Sequence, residues 1–219
     1  MIKIRLFVSI LLCFFIAICS YAVQSGKVEY VVPMDYSLID ENQVSIEAEA
    51  LFNNYLKTDN DTEKIKILNQ MLLKYNVLTL INLENPLYFT RLGIIYDKLG
   101  NDRYALMNFF RGSNLQDDYP YAFSSFGNYY FSRYDLKKAL RLYKKAYDCG
   151  FNTDYDTVYH LGVIYEKYGD FTNALKYYKE ALAIKNTEEL NNKILLLEEL
   201  LSKNTLYNLD RGYKNWKRY

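Results

Sequence analysis

His160 is the only histidine among 219 residues, and that bounds the chemistry this chain can support. A metal site built on an imidazole pair, or an H-E-x-x-H helix, needs two histidines. No Cys-x-x-Cys, glycine-rich phosphate loop or G-x-S-x-G elbow occurs. The acidic pairs Glu188-Glu189 and Glu198-Glu199 fall in an amphipathic helical pattern and read as a solvated face. His160 itself is expected to be a partly exposed helix residue with no special duty, the alternative being a hydrogen-bonding group in a binding groove. With no activated nucleophile and no acid–base pair, an enzymatic reading has no support, and no cofactor or metal is expected.

Charge and cysteine content depend on how the first residues are read. Lys3 and Arg5, an apolar run from Leu6 to Ile18, and Ser20-Tyr21-Ala22 form a secretory signal over 1–22, with cleavage expected before Val23. The apolar run is short for a spanning helix, which needs about 20 residues, although an uncleaved anchor is the alternative. A lipoprotein site at Cys19 is disfavoured by the bulky Ile18. The mature chain is therefore expected outside the cytoplasm: periplasmic, secreted or on the outer face of a membrane.

Losing Lys3 and Arg5 lowers the formal charge from +1 to −1, which argues against non-specific nucleic-acid binding. Cys149 then remains alone and cannot form an internal disulfide. A buried thiol beside the turn at Gly150 is the expectation.

The elements that would position any site come from periodicity. Residues 23–45 carry no helical stripe and read as a linker. A helical pair is expected over 46–79, with Leu51, Phe52, Tyr55 and Leu56 on one stripe and Ile65, Leu68, Leu72 and Tyr75 on the other. Asp61 or Thr62 is the expected N-cap of its second helix. Three similar blocks follow at 86–119, 120–154 and 155–188. They align Gly93 with Gly127 and Gly162, Tyr96 with Tyr130 and Tyr165, Ala105 with Ala139 and Ala174, and Phe109 with Tyr143 and Tyr178. The glycine spacings are 34 and 35 residues, and such a fixed period is the mark of stacked repeats.

Glycine within a helix costs roughly 0.5–1 kcal/mol against alanine, so each is expected to permit a close crossing, with the glycine of the first helix facing the alanine of the second. Pro86 is expected at the first helical position. After the third block, Asn186 and Glu189 suggest a capping box opening a helix over 187–202, with Leu190, Ile194, Leu197 and Leu201 on its stripe. This helix covers the last repeat or, alternatively, dimerises. The basic, aromatic tail 204–219 reads as solvated, with a membrane surface as its alternative partner.

The three blocks resemble tetratricopeptide repeats, whose pattern is W-x2-L-G-x2-Y, A-x3-F, A, P. The third matches at Leu161, Gly162, Tyr165, Ala174, Tyr178 and Ala181, and the second at Phe126, Gly127, Tyr130, Ala139, Tyr143 and Ala146. The first matches at Leu92, Gly93, Tyr96, Ala105 and Phe109, with Gly112 in place of the last alanine. Phe89, Phe123 and Val158 replace the tryptophan, and Asp117, Phe151 and Asn186 the proline.

The resemblance implies an all-α, α-α superhelix (solenoid) of three such hairpins with a degenerate N-terminal helical pair and a C-terminal capping helix. It also implies a peptide-binding groove lined by the first helix of each repeat. Carried over, the lining residues are Leu87, Thr90, Ile94 and Asp97, then Tyr121, Ser124, Asn128 and Phe131, then Asp156, Tyr159, Val163 and Glu166. The family's carboxylate clamp of lysine, asparagine and arginine is met only by Asn128. The function implied is an exported adaptor or scaffold for a protein or peptide, in envelope assembly or secretion. The alternative is a self-associating structural component whose groove is incidental.

Overall fold

The computed structural model of the chain describes residues 39–202. The expected signal, most of the linker and the tail 204–219 lie outside the described residues. Within them the chain is all-α, with nine helices and one 3-10 turn. None of these helices is long and apolar enough to cross a membrane. Two compact units divide at Leu83/Glu84.

The first unit is a helical pair, α1 (Glu41–Lys57) and α2 (Asp61–Ile81). Asp40 caps α1 by accepting from Asn42 N and Gln43 N, so the helix starts inside the stretch expected to be linker. The cap of α2 is Asn60, which accepts from Glu63 N, rather than Asp61 or Thr62. The helices run antiparallel. Lys74 Nζ reaches Glu47 at 2.6 Å, Tyr75 Oη donates to Glu49 at 2.5 Å, and Asn82 Nδ2 donates to Glu41 at 3.1 Å. The buried set is Ala48, Ile67, Leu68, Met71, Tyr75 and Leu78. Leu56 and Ile65, expected on the inward stripes, are 64% and 55% exposed. At a helical turn of about 100° per residue, Ile67 and Met71 share the face of Leu68 and Tyr75, which leaves Ile65 outside it.

The second unit stacks three helical pairs and a terminal helix. The pairs are α3 (Pro86–Lys98) with α4 (Asp102–Leu115), α5 (Pro120–Ser132) with α6 (Leu136–Asp148), and α7 (Tyr155–Lys167) with α8 (Phe171–Ile184). The terminal helix, α9 (Glu188–Ser202), packs on α8. Pro86 and Pro120 both occupy the first helical turn. The cap of α9 is Thr187, whose Oγ1 accepts from Leu190 N at 3.3 Å, rather than Asn186.

Each pair turns in the same way. Asn101, Asp135 and Asp170 donate their backbone N–H to Tyr96, Tyr130 and Tyr165 carbonyls at 2.8, 3.0 and 2.9 Å, closing each first helix. The side chains of the same three residues then cap the second helices. The residue just before each cap is left-handed. Gly100 and Gly169 take φ of 75° and 73°, but the second turn has Tyr134 at φ 60°.

The glycines face aromatic rings, not alanines. A Cβ on Gly93, Gly127 or Gly162 would lie 2.7, 3.0 or 2.6 Å from ring carbons of Phe109, Tyr143 or Tyr178 respectively. The alanines serve another interface. Ala105 clusters with Phe123 and Phe126 of the following pair, and Ala139 with Val158 and Leu161. Glycine closes a hairpin on its own ring, and alanine lets the next hairpin approach. A ring fills the crossing better than a methyl would, and it buries far more apolar area.

Gly162→Ala is expected to destabilise the chain by about 1–3 kcal/mol in urea unfolding, the usual cost of overpacking. Gly127→Ala should shift the midpoint less, because its contact is looser, so the roughly 0.5–1 kcal/mol of helix propensity that either alanine regains offsets more of the strain. Tyr134→Gly should raise stability by about 1 kcal/mol by relieving the left-handed backbone, whereas Gly100→Ala should lower it.

Candidate functional site

The first helices α3, α5 and α7 place the expected lining residues in two groups. Thr90 and Ser124 do not line a groove. Thr90 is fully buried and its Oγ1 donates to Pro86 O at 2.8 Å. Ser124 is buried with its hydroxyl 3.0 Å from that of Thr157. Burial satisfies both hydroxyls inside the protein and removes them from any ligand. Leu87 and Ile94 are half-buried. Asp97 is held at 2.8 Å by Arg133 from the next pair, and the buried Arg91 guanidinium donates to the Tyr121 hydroxyl while lying 4.9 Å over its ring centroid.

The second group is continuous. Phe131 sets its edge against His160, ring centroids 4.7 Å apart, and His160 stacks parallel on Tyr143 at 5.2 Å. Tyr159 meets His160 at 5.9 Å and Tyr178 at 5.8 Å, and stacks on Tyr155 at 5.7 Å. Polar groups border the rings. Tyr143 Oη donates to the exposed Asn128 Oδ1 at 2.6 Å, and Tyr178 Oη to Glu166 Oε2 at 2.5 Å. Lys193, from α9, reaches the same Glu166 oxygen at 3.0 Å. Val163 is half-buried and Asp156 exposed on the same helix. A shallow cleft at the end of this face is lined by Tyr155, Tyr159, Thr187, Glu189, Leu190 and Lys193.

The rings of this face stay neutral, and its charges sit on its carboxylates and on Lys193. Burial first, and then the Asp156 and Asp154 charges, push the Tyr143 phenol well above the usual tyrosine range. Burial and the Glu166 carboxylate do the same for Tyr178. Both rings therefore act as hydrogen-bond donors, never as phenolates. Burial depresses His160, partly offset by its bond to the Asp156 carbonyl. That carbonyl, 2.6 Å from Nδ1, can only accept, so Nδ1 carries the proton and Nε2 is left as an acceptor. Cys149 is half-buried rather than buried, with Sγ 3.4 Å from Asp117 O. Among the described residues no group of three histidine, cysteine or acidic side chains is placed to hold a metal.

Tyr155, Tyr143, Tyr178, Lys193 and Arg91 join the site without having been read from the sequence as site residues, and His160, for which a place in a groove is the lesser reading, joins it too. One signal was available: copies two and three carry tyrosine where copy one has Phe109, and a buried hydroxyl requires a partner. Nothing in the sequence pointed to Lys193.

Residues 155–187 match the family described as the tetratricopeptide repeat. The chain carries a tetratricopeptide repeat. Solved structures of similar fold include MamA, 19% identical, with 73% of this chain and 98% of MamA covered and a TM-score of 0.54. PilW, described as a type IV pilus biogenesis factor, is 18% identical over 67% of this chain and 62% of its own, with a TM-score of 0.55. Pseudomonas aeruginosa pilF is 12% identical over 80% and 75%, at 0.59. At such identities the likeness is one of fold. No curated protein matches by sequence. In the tetratricopeptide repeat at 155–187, motif residues Gly162 and Tyr178 form the helix crossing, and the Tyr178 hydroxyl also joins the aromatic face.

His160 gives this repeat a measurable pH response. Its folded pKa lies below the unfolded value of about 6.5, so between the two the unfolded chain binds the extra proton. The stabilisation is complete above about pH 6.5 and is lost as pH falls through that window. Urea midpoints at decreasing pH should fall earlier in the wild type than in His160→Phe, which keeps the ring stack without the titration.

Proposed function

We propose that this chain is an exported adaptor that holds a segment of another protein on the face of α5 and α7. The observation that carries this is the run of rings Phe131, His160, Tyr159 and Tyr155, bordered by Asn128, Glu166 and Lys193. Tyrosine and phenylalanine give rigid contact area at low entropic cost, and scattered hydrogen-bonding groups fix the register of an extended or helical ligand. Export rests on the signal read at 1–22. The fold likeness to PilW, a type IV pilus biogenesis factor, supports an envelope setting.

A second reading, self-association, is favoured by Leu195, Leu196 and Leu200, all exposed on α9. A terminal helix of a repeat array ordinarily presents a polar outer face.

Photoreactive residues placed in cells at Tyr159, at Leu196 and at the outward Lys176 separate these readings. The adaptor reading expects a partner trapped from Tyr159 but not from Lys176, and located on the same side of the membrane as the mature chain. Equal trapping from both positions, or only cytosolic partners from Tyr159, would sink it. A second copy of the chain trapped from Leu196 alone favours self-association.

A further inference from the structure

The second helices α4, α6 and α8 turn a different surface outward, and its chemistry changes from one helix to the next. Equivalent outward positions hold Tyr104, Met107 and Phe110 on α4, Lys138, Arg141 and Lys144 on α6, and Asn173, Lys176 and Lys179 on α8. The α6 row is widened by Lys137 and Lys145, and all five basic residues are exposed. Ala139, Leu142, Tyr143 and Ala146 take the buried side of the same helix.

The charge on α6 is only partly neutralised at home. On α8, Lys176 and Lys179 pair with Glu180 and Glu198 at 3.9 and 2.6 Å. On α6, Lys138 pairs with Asp135 at 2.8 Å and Lys145 with Asp117 at 3.3 Å. Lys144 lies 5.4 Å over the Tyr165 ring. Lys137 and Arg141 form no ion pair among the described residues.

The apolar row stands beside the basic one. Helices α4 and α6 run in the same direction with their matching ends joined: Arg133, just before α6, pairs with Asp102 at the start of α4, and Asp117, just after α4, meets Lys145 and Cys149 at the end of α6. Tyr104, Met107 and Phe110 are 44%, 56% and 65% exposed. Three large apolar side chains in one row are uncommon on a surface that stays in water.

We propose that this outward face of α4 and α6 docks on an anionic lipid surface. Long lysine and arginine side chains would reach headgroup phosphates, while Phe110, Met107 and Tyr104 enter the boundary between headgroups and acyl chains. Headgroups impose no fixed register, which suits a face whose basic groups are spread along a helix rather than gathered in one pocket. The contact leaves the ring face of α5 and α7 free for a protein segment, and it does not involve 1–22 or 204–219.

The test is co-sedimentation of the full chain with vesicles of phosphatidylcholine alone and of phosphatidylcholine mixed with phosphatidylglycerol. Binding is expected only to the mixed vesicles and should weaken with added salt. Each basic residue near such a surface is worth about fivefold in partitioning, so Lys137→Glu with Arg141→Glu should lower it by at least about 25-fold. Met107→Asp with Phe110→Asp should also lower it. These positions are exposed, and circular dichroism at native helicity would show that each variant is folded. The proposal is overturned if the parent ignores the mixed vesicles or binds both kinds equally. It is also overturned if both double variants bind like the parent, which would assign the binding to the chain ends instead.

Discussion

The contact on which the second unit depends is an aromatic ring laid flat against a glycine one helix away. Phe109, Tyr143 and Tyr178 are each almost wholly buried, and each ring occupies the space that a side chain at Gly93, Gly127 or Gly162 would need. The glycine gives up helix propensity, and the ring returns more than that through buried apolar area. The crossing this sets brings the two helices of each pair together. It leaves the alanines of the second helices free to receive the following pair.

The same rings carry the chemistry of the face above them. In the second and third pairs the buried ring ends in a hydroxyl, which donates inside the protein to Asn128 and to Glu166. Packing and recognition are therefore not separable at Tyr143 and Tyr178. Phenylalanine at either site would keep the crossing and take from Asn128 or Glu166, which border the ligand face, the internal donor that holds it. The first pair has Phe109 there and lacks this device. It is also closed more tightly at its far end, where a methyl on Gly112 would meet Thr90 Oγ1 at 2.8 Å and Pro86 O at 3.2 Å. That is why the alanine found at the equivalent positions 146 and 181 is missing from the first pair.

Ion pairs between successive pairs add direction rather than strength. Arg133 to Asp97 and Lys179 to Glu198 are partly exposed, and such bridges contribute about 0–1 kcal/mol each. Lys193 to Glu166 matters more for position, because it ties the terminal helix to the ring face and makes α9 one wall of the cleft. The three faces thus differ in kind: rings and hydroxyls on the first helices, charge and apolar side chains on the second, and exposed leucines at the end.

What the sequence determined by itself is whatever depends on near neighbours along the chain. The 34-to-35-residue period and the helical stripes are legible from residue spacing alone, and the opening at Pro86 from the residue type. Local signals failed by small steps at Asn60 and Thr187, where adjacent residues compete for one cap, and by more at Leu56 and Ile65, which are exposed, and at α1, which starts inside the expected linker. The tertiary structure alone decided which residue meets which across helices. It set a ring rather than an alanine against each glycine, turned Thr90 and Ser124 inward, and brought Lys193 to Glu166 and His160 between two aromatic rings. A helical stripe specifies a face about 100° wide. Which side of that face is covered depends on where the neighbouring helix crosses, and no spacing within a single helix contains that.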